Sequence, residues 1–257
     1  DREFFRCRCR RGARPTVLRT ARREGVVVAR AAKILGVPYG LSIQGNTDQK
    51  ILEARPGLRS LFARIYHHAE IVFPFTPWAQ HAIEKRISKR TGPTALLPCP
   101  TDLDQILEPQ TRGVGLISAF HLRHYKNKNL AGIVNAYRSL PRMQRRINLM
   151  IAGGGSEADL ASCREIAADV DGIEFVGGLS RDQLRLRLNH ATGLVLPSFR
   201  ESFGLVFIEA LFAGLPIVYP KGAAIDGYFD GMPFAIGVNA RCDAEISNAM
   251  SKLIAEE

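Results

Sequence analysis

The chain has 257 residues, of which 46% are hydrophobic, and its formal charge is +10. This length and apolar content can bury one large or two moderate hydrophobic cores. No run approaches the roughly 20 apolar residues that cross a bilayer, and no segment has the order of a secretory signal. The five cysteines lack Cys-x-x-Cys spacing, so we expect free thiols, a cytoplasmic protein and no zinc site.

The positive charge is concentrated at the start of the chain. Residues 1–30 hold ten Arg against three acidic residues, which is a local charge of +7. One interpretation is peripheral contact with an anionic membrane, on its inner face. The other is a poorly ordered basic arm. Nucleic acid is not an expected partner, because the aromatic residues of this segment are the adjacent Phe4 and Phe5 and do not alternate with the basic ones.

The first half of the chain alternates apolar runs with one clear amphipathic stretch. Strands are predicted at 38–44, 71–76 and 94–97, with a helix near 58–68. Three prolines, Pro98, Pro100 and Pro109, then indicate a linker. We therefore expect a first domain over residues 1–109 and a second over residues 110–257.

The second half has a regular rhythm of strands and helices. Strands are predicted at 114–120, 147–152, 173–176, 194–196, 217–219 and 234–236. Helices fall between them, near 130–140, 157–168, 181–190 and 205–212. This alternation is typical of an α/β fold, in which a parallel sheet carries helices on both faces.

Two carboxylates eight residues apart surround the turn that leads into the last of these helices. The preceding strand ends at Pro197-Ser198, so Glu201 lies in a loop and Glu209 lies inside the helix. A helix that opens at the carboxyl end of a parallel strand directs free N–H groups and a positive dipole end outward, which suits a phosphate. Gly204 permits close approach of that phosphate.

The complete string resembles a known family. Glu-x7-Glu, with Ser-Phe-Gly-Leu after the first Glu and Glu-Ala-x-x-x-Gly-x-Pro after the second, is similar to the retaining glycosyltransferases of family four, which have GT-B architecture. The resemblance implies two Rossmann-like domains with parallel sheets. It assigns Glu201 to the donor sugar and Glu209 to the ribose hydroxyls, and it places the turn in substrate contact: Ser202, Phe203, Gly204 and Leu205. Solvated surface acids are the alternative.

A basic loop follows the strand predicted at 114–120. The resemblance places an Arg and, five residues later, a Lys in this loop, which Arg123 and Lys128 match. Their charges would neutralise the diphosphate and stabilise it as it leaves. We therefore expect no metal and no cofactor. Leu122 departs from the family pattern, in which a Gly commonly precedes the Arg, and Lys126 competes for the role of the lysine.

A glycine run, Gly153 to Gly155, formally satisfies a dinucleotide fingerprint. That fingerprint needs an acid at the end of the next strand, which here ends in Gly177-Gly178. The resemblance implies instead that this loop borders the donor, with a minor contact at Gly154. For Asp226, two interpretations stay open: contact with the donor, or the formation of a turn.

The predicted function is retaining transfer of a sugar from a nucleoside diphosphate sugar to a hydroxyl acceptor. The acceptor would be a growing cell-surface glycan or a lipid-linked glycan, as in polysaccharide biosynthesis. A GT-B nucleotide-sugar epimerase and a non-catalytic nucleotide-sugar-binding module remain alternatives. Compared with the family, the N-terminal half lacks an opening strand and a glycine-rich loop, so we expect a fragment with an incomplete N-terminal domain.

Overall fold

The computed structural model describes residues 16–19, 23–110 and 113–255, and these residues form two compact units. The first unit ends at Pro98 and the second begins at Cys99. The segment 99–109, predicted as part of the first domain, therefore lies with the second. The physical reason is its hydrogen bonding: for example, the Leu107 N–H donates to the Phe212 carbonyl at 2.7 Å.

The first unit has a parallel sheet of three strands in the order β1-β2-β3. These are β1 (Thr16–Arg19), β2 (Tyr39–Ile43) and β3 (Ile71–Pro74). Its helices are α1 (Arg23–Leu35), α2 (Asn46–Ala54), α3 (Arg59–His68) and α4 (Pro77–Glu84). Leu41, Ile43 and Val72 on the strands pack with Tyr66 and Trp78 in the core.

Two predictions for this unit need correction. Residues 94–97 form an isolated bridge from Thr94 to Val72 in place of a strand, because the segment is short and bounded by Pro93 and Pro98, which cannot donate to a ladder. The segment 1–30 is also not simply an arm, since β1 and the start of α1 fall within it. Residues 1–15 lie outside the described residues.

The second unit has a parallel sheet of six strands in the order β6-β5-β4-β7-β8-β9. The strands are β4 (Leu116–Ala119), β5 (Leu149–Ala152), β6 (Ile173–Gly177), β7 (Gly193–Val195), β8 (Ile217–Pro220) and β9 (Ala235–Val238). The helices are α5 (Leu130–Arg138), α6 (Glu157–Ala167), α7 (Arg181–Asn189), α8 (Leu205–Phe212) and α9 (Asp243–Ala255). Contacts join α5 to α6 and α9, and α7 to α8.

The strand order places a topological switch point beside β4. The chain runs from β4 through β5 to β6 at one edge, then returns to β7 on the other side of β4 and continues to β9. In open α/β sheets, ligands bind outside the carboxyl ends of the strands at such a point. The predicted α/β class with parallel sheets is confirmed. No described helix has the length and apolarity that a membrane crossing requires.

Candidate functional site

Two loops meet at the carboxyl ends of β4 and β7. The Phe199 N–H donates to the Asn127 carbonyl at 2.9 Å, and the Asn127 side-chain Nδ2 donates to the Arg200 carbonyl at 2.9 Å. The second of these reciprocal bonds joins residues 73 positions apart in the chain. The loops therefore form one continuous surface at the switch point.

An ion pair between Lys128 and Glu201 lies on this surface. Lys128 Nζ donates to Glu201 Oε2, and both side chains are 18% exposed. The Lys128 N–H donates to the His124 carbonyl at 2.9 Å, a helical turn that fixes the lysine backbone. A pair with this much burial is screened by salt less than an exposed pair. Two predicted site residues are thus brought together.

Of the three basic candidates, Lys128 is the one that pairs with Glu201. Arg123 lies in a 3-10 turn (Leu122–His124), and its side chain is exposed. The pKa of Asp159 is lowered first by the Ser156 backbone N–H and hydroxyl, with a further contribution from the charge of Arg123. The charge of Arg123 is thus close enough to act on Asp159, on α6. The Lys126 ammonium lies 5.6 Å from the Tyr125 ring centroid, so Lys128 and not Lys126 reaches Glu201.

The turn into α8 is compact and depends on a glycine. Gly204 has φ 78° and ψ 73°, and a Cβ there would lie 2.7 Å from the Phe207 ring and 3.0 Å from Glu201 Cγ. Phe203 is buried and packs edge-on to Tyr228, with ring centroids 6.2 Å apart. Of the predicted contact residues, Phe203 thus offers a ligand only its backbone. Ser202 is partly exposed and Leu205 is exposed.

Glu209 projects from α8 into a pocket of about 200 Å³ whose other charged walls include Asp102 and Arg181. Burial raises the pKa of the Glu209 carboxyl, the Arg181 charge opposes the rise, and the Asp102 charge adds to it. Within the described part of the chain, the Glu209 carboxylate has no hydrogen-bond partner. Half-buried carboxylates are usually satisfied by a donor, so Glu209 is available to one from a ligand.

The glycine run after β5 has a backbone role. A Cβ on Gly153 would lie 1.7 Å from the Phe120 carbonyl oxygen, and the Gly153 N–H donates to Gly177 at 2.8 Å. The Gly154 carbonyl accepts a hydrogen bond from the Leu122 N–H at 2.8 Å, which fixes the direction of that oxygen. The close packing of the loops after β4, β5 and β6 therefore explains why this run consists of glycines.

Sequence reasoning gave no role to Asn129, which helps to build this site. Asn129 is left-handed (φ 60°), accepts from Gly132 N at 3.3 Å to cap α5, and donates to the Ala240 carbonyl at 2.6 Å. An Asn directly before an apolar helix is a recognisable cap signal.

Asp226 accepts from Gly222 N at 2.8 Å and so forms a turn. Among the described residues, no three His, Cys, Asp or Glu side chains form a group suited to a metal ion.

Comparison with known sequences points to one enzyme group. Residues 111–225 match the family model described as glycosyl transferases group 1. The chain is 35% identical over 114 residues to glycogen synthase of Mycobacterium tuberculosis (strain H37Rv), covering 43% of this chain and 26% of that protein. It is 24% identical over 202 residues to the uncharacterized glycosyltransferase YqgM of Bacillus subtilis, covering 75% and 55%. The chain thus spans about a quarter to about half of these relatives.

Solved structures share the fold at low identity. Sucrose-phosphate synthase from Thermosynechococcus elongatus superposes with a TM-score of 0.65 at 19% identity, over 90% of this chain and 62% of that one. Anabaena HepE, solved with UDP, gives 0.66 at 14% identity, over 93% and 69%. Such identities establish the fold alone. The chain is thus similar to glycosyl transferases group 1 over residues 111–225, and it shares the GT-B fold with these solved structures.

Proposed function

We propose that this chain is the donor-binding part of a retaining glycosyltransferase that moves a sugar from a nucleoside diphosphate sugar to a hydroxyl acceptor, a cell-surface glycan or a glycolipid. The observation that carries the proposal is the meeting of Lys128 and Glu201 at the switch point, beside the Gly204 turn into α8. Structural neighbours add support, since HepE was solved in complex with UDP and the pneumococcal O-GlcNAc transferase GtfA in complex with UDP and GlcNAc.

Each proposed role follows from charge and position. Lys128, with Arg123 on the same loop, offsets the negative charge of the diphosphate, and the first N–H groups of α8 add donors. As the bond to the sugar breaks, this positive charge stabilises the leaving diphosphate. Glu201 accepts hydrogen bonds from the donor sugar, and Glu209 accepts them from the ribose.

Retention requires the acceptor hydroxyl to attack on the face from which the diphosphate departs. The new bond forms between the acceptor oxygen and the anomeric carbon, the bond from that carbon to the phosphate oxygen breaks, and the acceptor proton passes to the departing phosphate. The side chains of this chain position the donor and supply electrostatic stabilisation. No metal is part of the proposal, because the two cations occupy that role.

The test is calorimetric titration of the chain with UDP, GDP, ADP and their common sugar conjugates. We expect one nucleotide to bind and Glu209→Ala to weaken it about 10- to 100-fold, since a hydrogen bond to a charged group contributes about 1.5–3 kcal/mol. Glu165→Ala is the matched control, because Glu165 is an exposed acid on α6. A folded chain that binds none of the nucleotides, or an equal loss in both variants, would contradict the proposed donor site.

Transfer itself is tested in the same samples. With a bound donor sugar and a panel of hydroxyl acceptors, release of the free nucleoside diphosphate should match the amount of glycosylated product. Exchange of the sugar configuration without an acceptor would instead indicate an epimerase. Nucleotide binding with no release from a chain extended to the full length of its relatives would indicate a binding module.

A further inference from the structure

The segment 101–110 has no regular secondary structure and runs along α7; we call it the strap. One face of α7 holds it, through side chains spaced four residues apart. These contacts are an ion pair from Arg181 to Asp102, a 2.9 Å hydrogen bond from Arg185 to the Gln105 carbonyl, and a 2.9 Å hydrogen bond from Asn189 to the Glu108 carbonyl. The strap is therefore held at three successive points.

The strap is also fixed to the end of α8. The Leu107 N–H donates to the Phe212 carbonyl at 2.7 Å, and Asn189 Nδ2 also donates to the Ala213 carbonyl at 2.9 Å. Because α7 and α8 pack together, the strap covers the groove between them. Glu209, on α8, lies in the pocket that remains under the strap.

The pocket is small and highly charged. Its volume of about 200 Å³ is below the roughly 300–1,000 Å³ of ordinary ligand sites, so it suits one ring of a nucleotide and not the whole molecule. The charged groups that face Glu209 come from two elements. They are Asp102 and Asp104 on the strap, and Arg181, Asp182 and Arg185 on α7.

The Asp102–Arg181 pair contributes little to the stability of the fold. The side chains are 68% and 76% exposed, and exposed ion pairs contribute about 0–1 kcal/mol. Burial is the largest cause that raises the pKa of Glu209. The two charges act on this pKa in opposite directions, since Arg181 lowers it and Asp102 raises it. An ionised Glu209 accepts stronger hydrogen bonds from hydroxyl groups than a protonated one.

We infer that the strap is a wall of the nucleoside pocket, and that Arg181 and Asp102 are positioning residues whose opposed charges control how tightly Glu209 holds the ribose of the donor. The inference rests on the proposed function, since it takes Glu209 as the ribose acceptor. Arg181 keeps the carboxylate charged, and Asp102 limits that effect by pairing with Arg181. Nucleotide affinity therefore depends on pH in a way that two residues outside α8 determine.

The direction of each change follows from linkage. Arg181→Gln removes the charge that lowers the Glu209 pKa, so Glu209 is protonated at a higher pH. As the solution is acidified, nucleotide binding therefore begins to weaken at a higher pH. Asp102→Asn has the opposite effect and extends strong binding to lower pH. Arg181→Lys keeps the charge and should restore the behaviour of the unmodified chain.

The experiment follows UDP affinity by calorimetry between pH 5 and 8 and, in the ligand-free chain, the titration of Glu209 by NMR of carboxyl-labelled glutamate. On the acid side we expect UDP affinity to fall about fivefold as a charge-assisted hydrogen bond becomes a neutral one. In both measurements, the pH at the midpoint of the transition should be higher in Arg181→Gln and lower in Asp102→Asn than in the unmodified chain. Arg187→Gln is the matched control, because Arg187 lies on α7 but lines a different cavity.

Three results would overturn the inference. The first is a shift of both midpoints in the same direction, the second is a shift in the Arg187→Gln control as large as in Arg181→Gln, and the third is opposite NMR midpoints with unchanged UDP affinity. If UDP, GDP and ADP bind to none of the variants, the proposed donor site fails and the nucleotide role of the strap fails with it. The NMR midpoints then show separately whether Arg181 and Asp102 act on Glu209.

Discussion

Replacement of Gly204 by Ala tests the turn on which the candidate site depends. Gly204 has φ 78°, a conformation that costs an L residue about 1–2 kcal/mol. The new Cβ would lie 2.7 Å from the Phe207 ring and 3.0 Å from Glu201 Cγ. Because the Phe207 side chain is fully buried, it has no room to move away, and overpacking of this kind costs about 1–3 kcal/mol. The expected total loss of stability is about 2–5 kcal/mol.

Gly231 provides a control with the same φ as Gly204. Its φ is also 78°, but a Cβ there would meet no atom within 4 Å. Gly231→Ala should therefore cost only the backbone contribution, about 1–2 kcal/mol. The difference between the two variants isolates the steric contribution of Phe207 and Glu201, which we expect to be about 1–3 kcal/mol.

The measurement is amide hydrogen exchange of peptides from β4, β7 and α8, which reports the opening free energy of the second unit without assuming that the whole chain unfolds in one step. Gly204→Ala should also weaken nucleotide binding, since Glu201 and the first N–H groups of α8 are displaced together. Equal destabilisation by Gly204→Ala and Gly231→Ala would refute the steric reasoning. Unchanged nucleotide affinity in a folded Gly204→Ala chain would refute the proposed use of the turn.

Further predictions concern the frame around the site. Arg90→Met removes the donor to buried backbone carbonyls and should destabilise the first unit by about 2–5 kcal/mol, measured by urea unfolding with Trp78, the one tryptophan, as a fluorescent reporter. Gly153→Ala places a Cβ 1.7 Å from the Phe120 carbonyl oxygen, and loss of exchange protection in β5 should follow; native protection would contradict the close packing. Burial raises the pKa of Cys163 to about 11, so at pH 8 iodoacetamide should alkylate it only after urea is added.

Local patterns in the sequence determined most of the second unit. All six strands predicted there are present, and α8 spans the predicted residues 205–212. Its limits are readable because Gly204 and Gly214 adopt positive φ at its two ends, which side chains disfavour. The first unit was harder, because α2 has little apolar periodicity. For α4, the signal was available, since Thr76 caps the helix and Pro77 opens it.

The tertiary structure alone decided which side chains meet. Lys126 and Lys128 lie in one irregular loop, and nothing local distinguishes them; the position of β4 next to β7 brings Lys128 to Glu201. The pairing of Asp102 with Arg181, 79 residues apart, depends in the same way on the path of the strap along α7. Periodicity and turn residues fix backbone conformation over a few positions. Contacts between distant loops depend on strand order, which a single sequence does not encode in any short pattern.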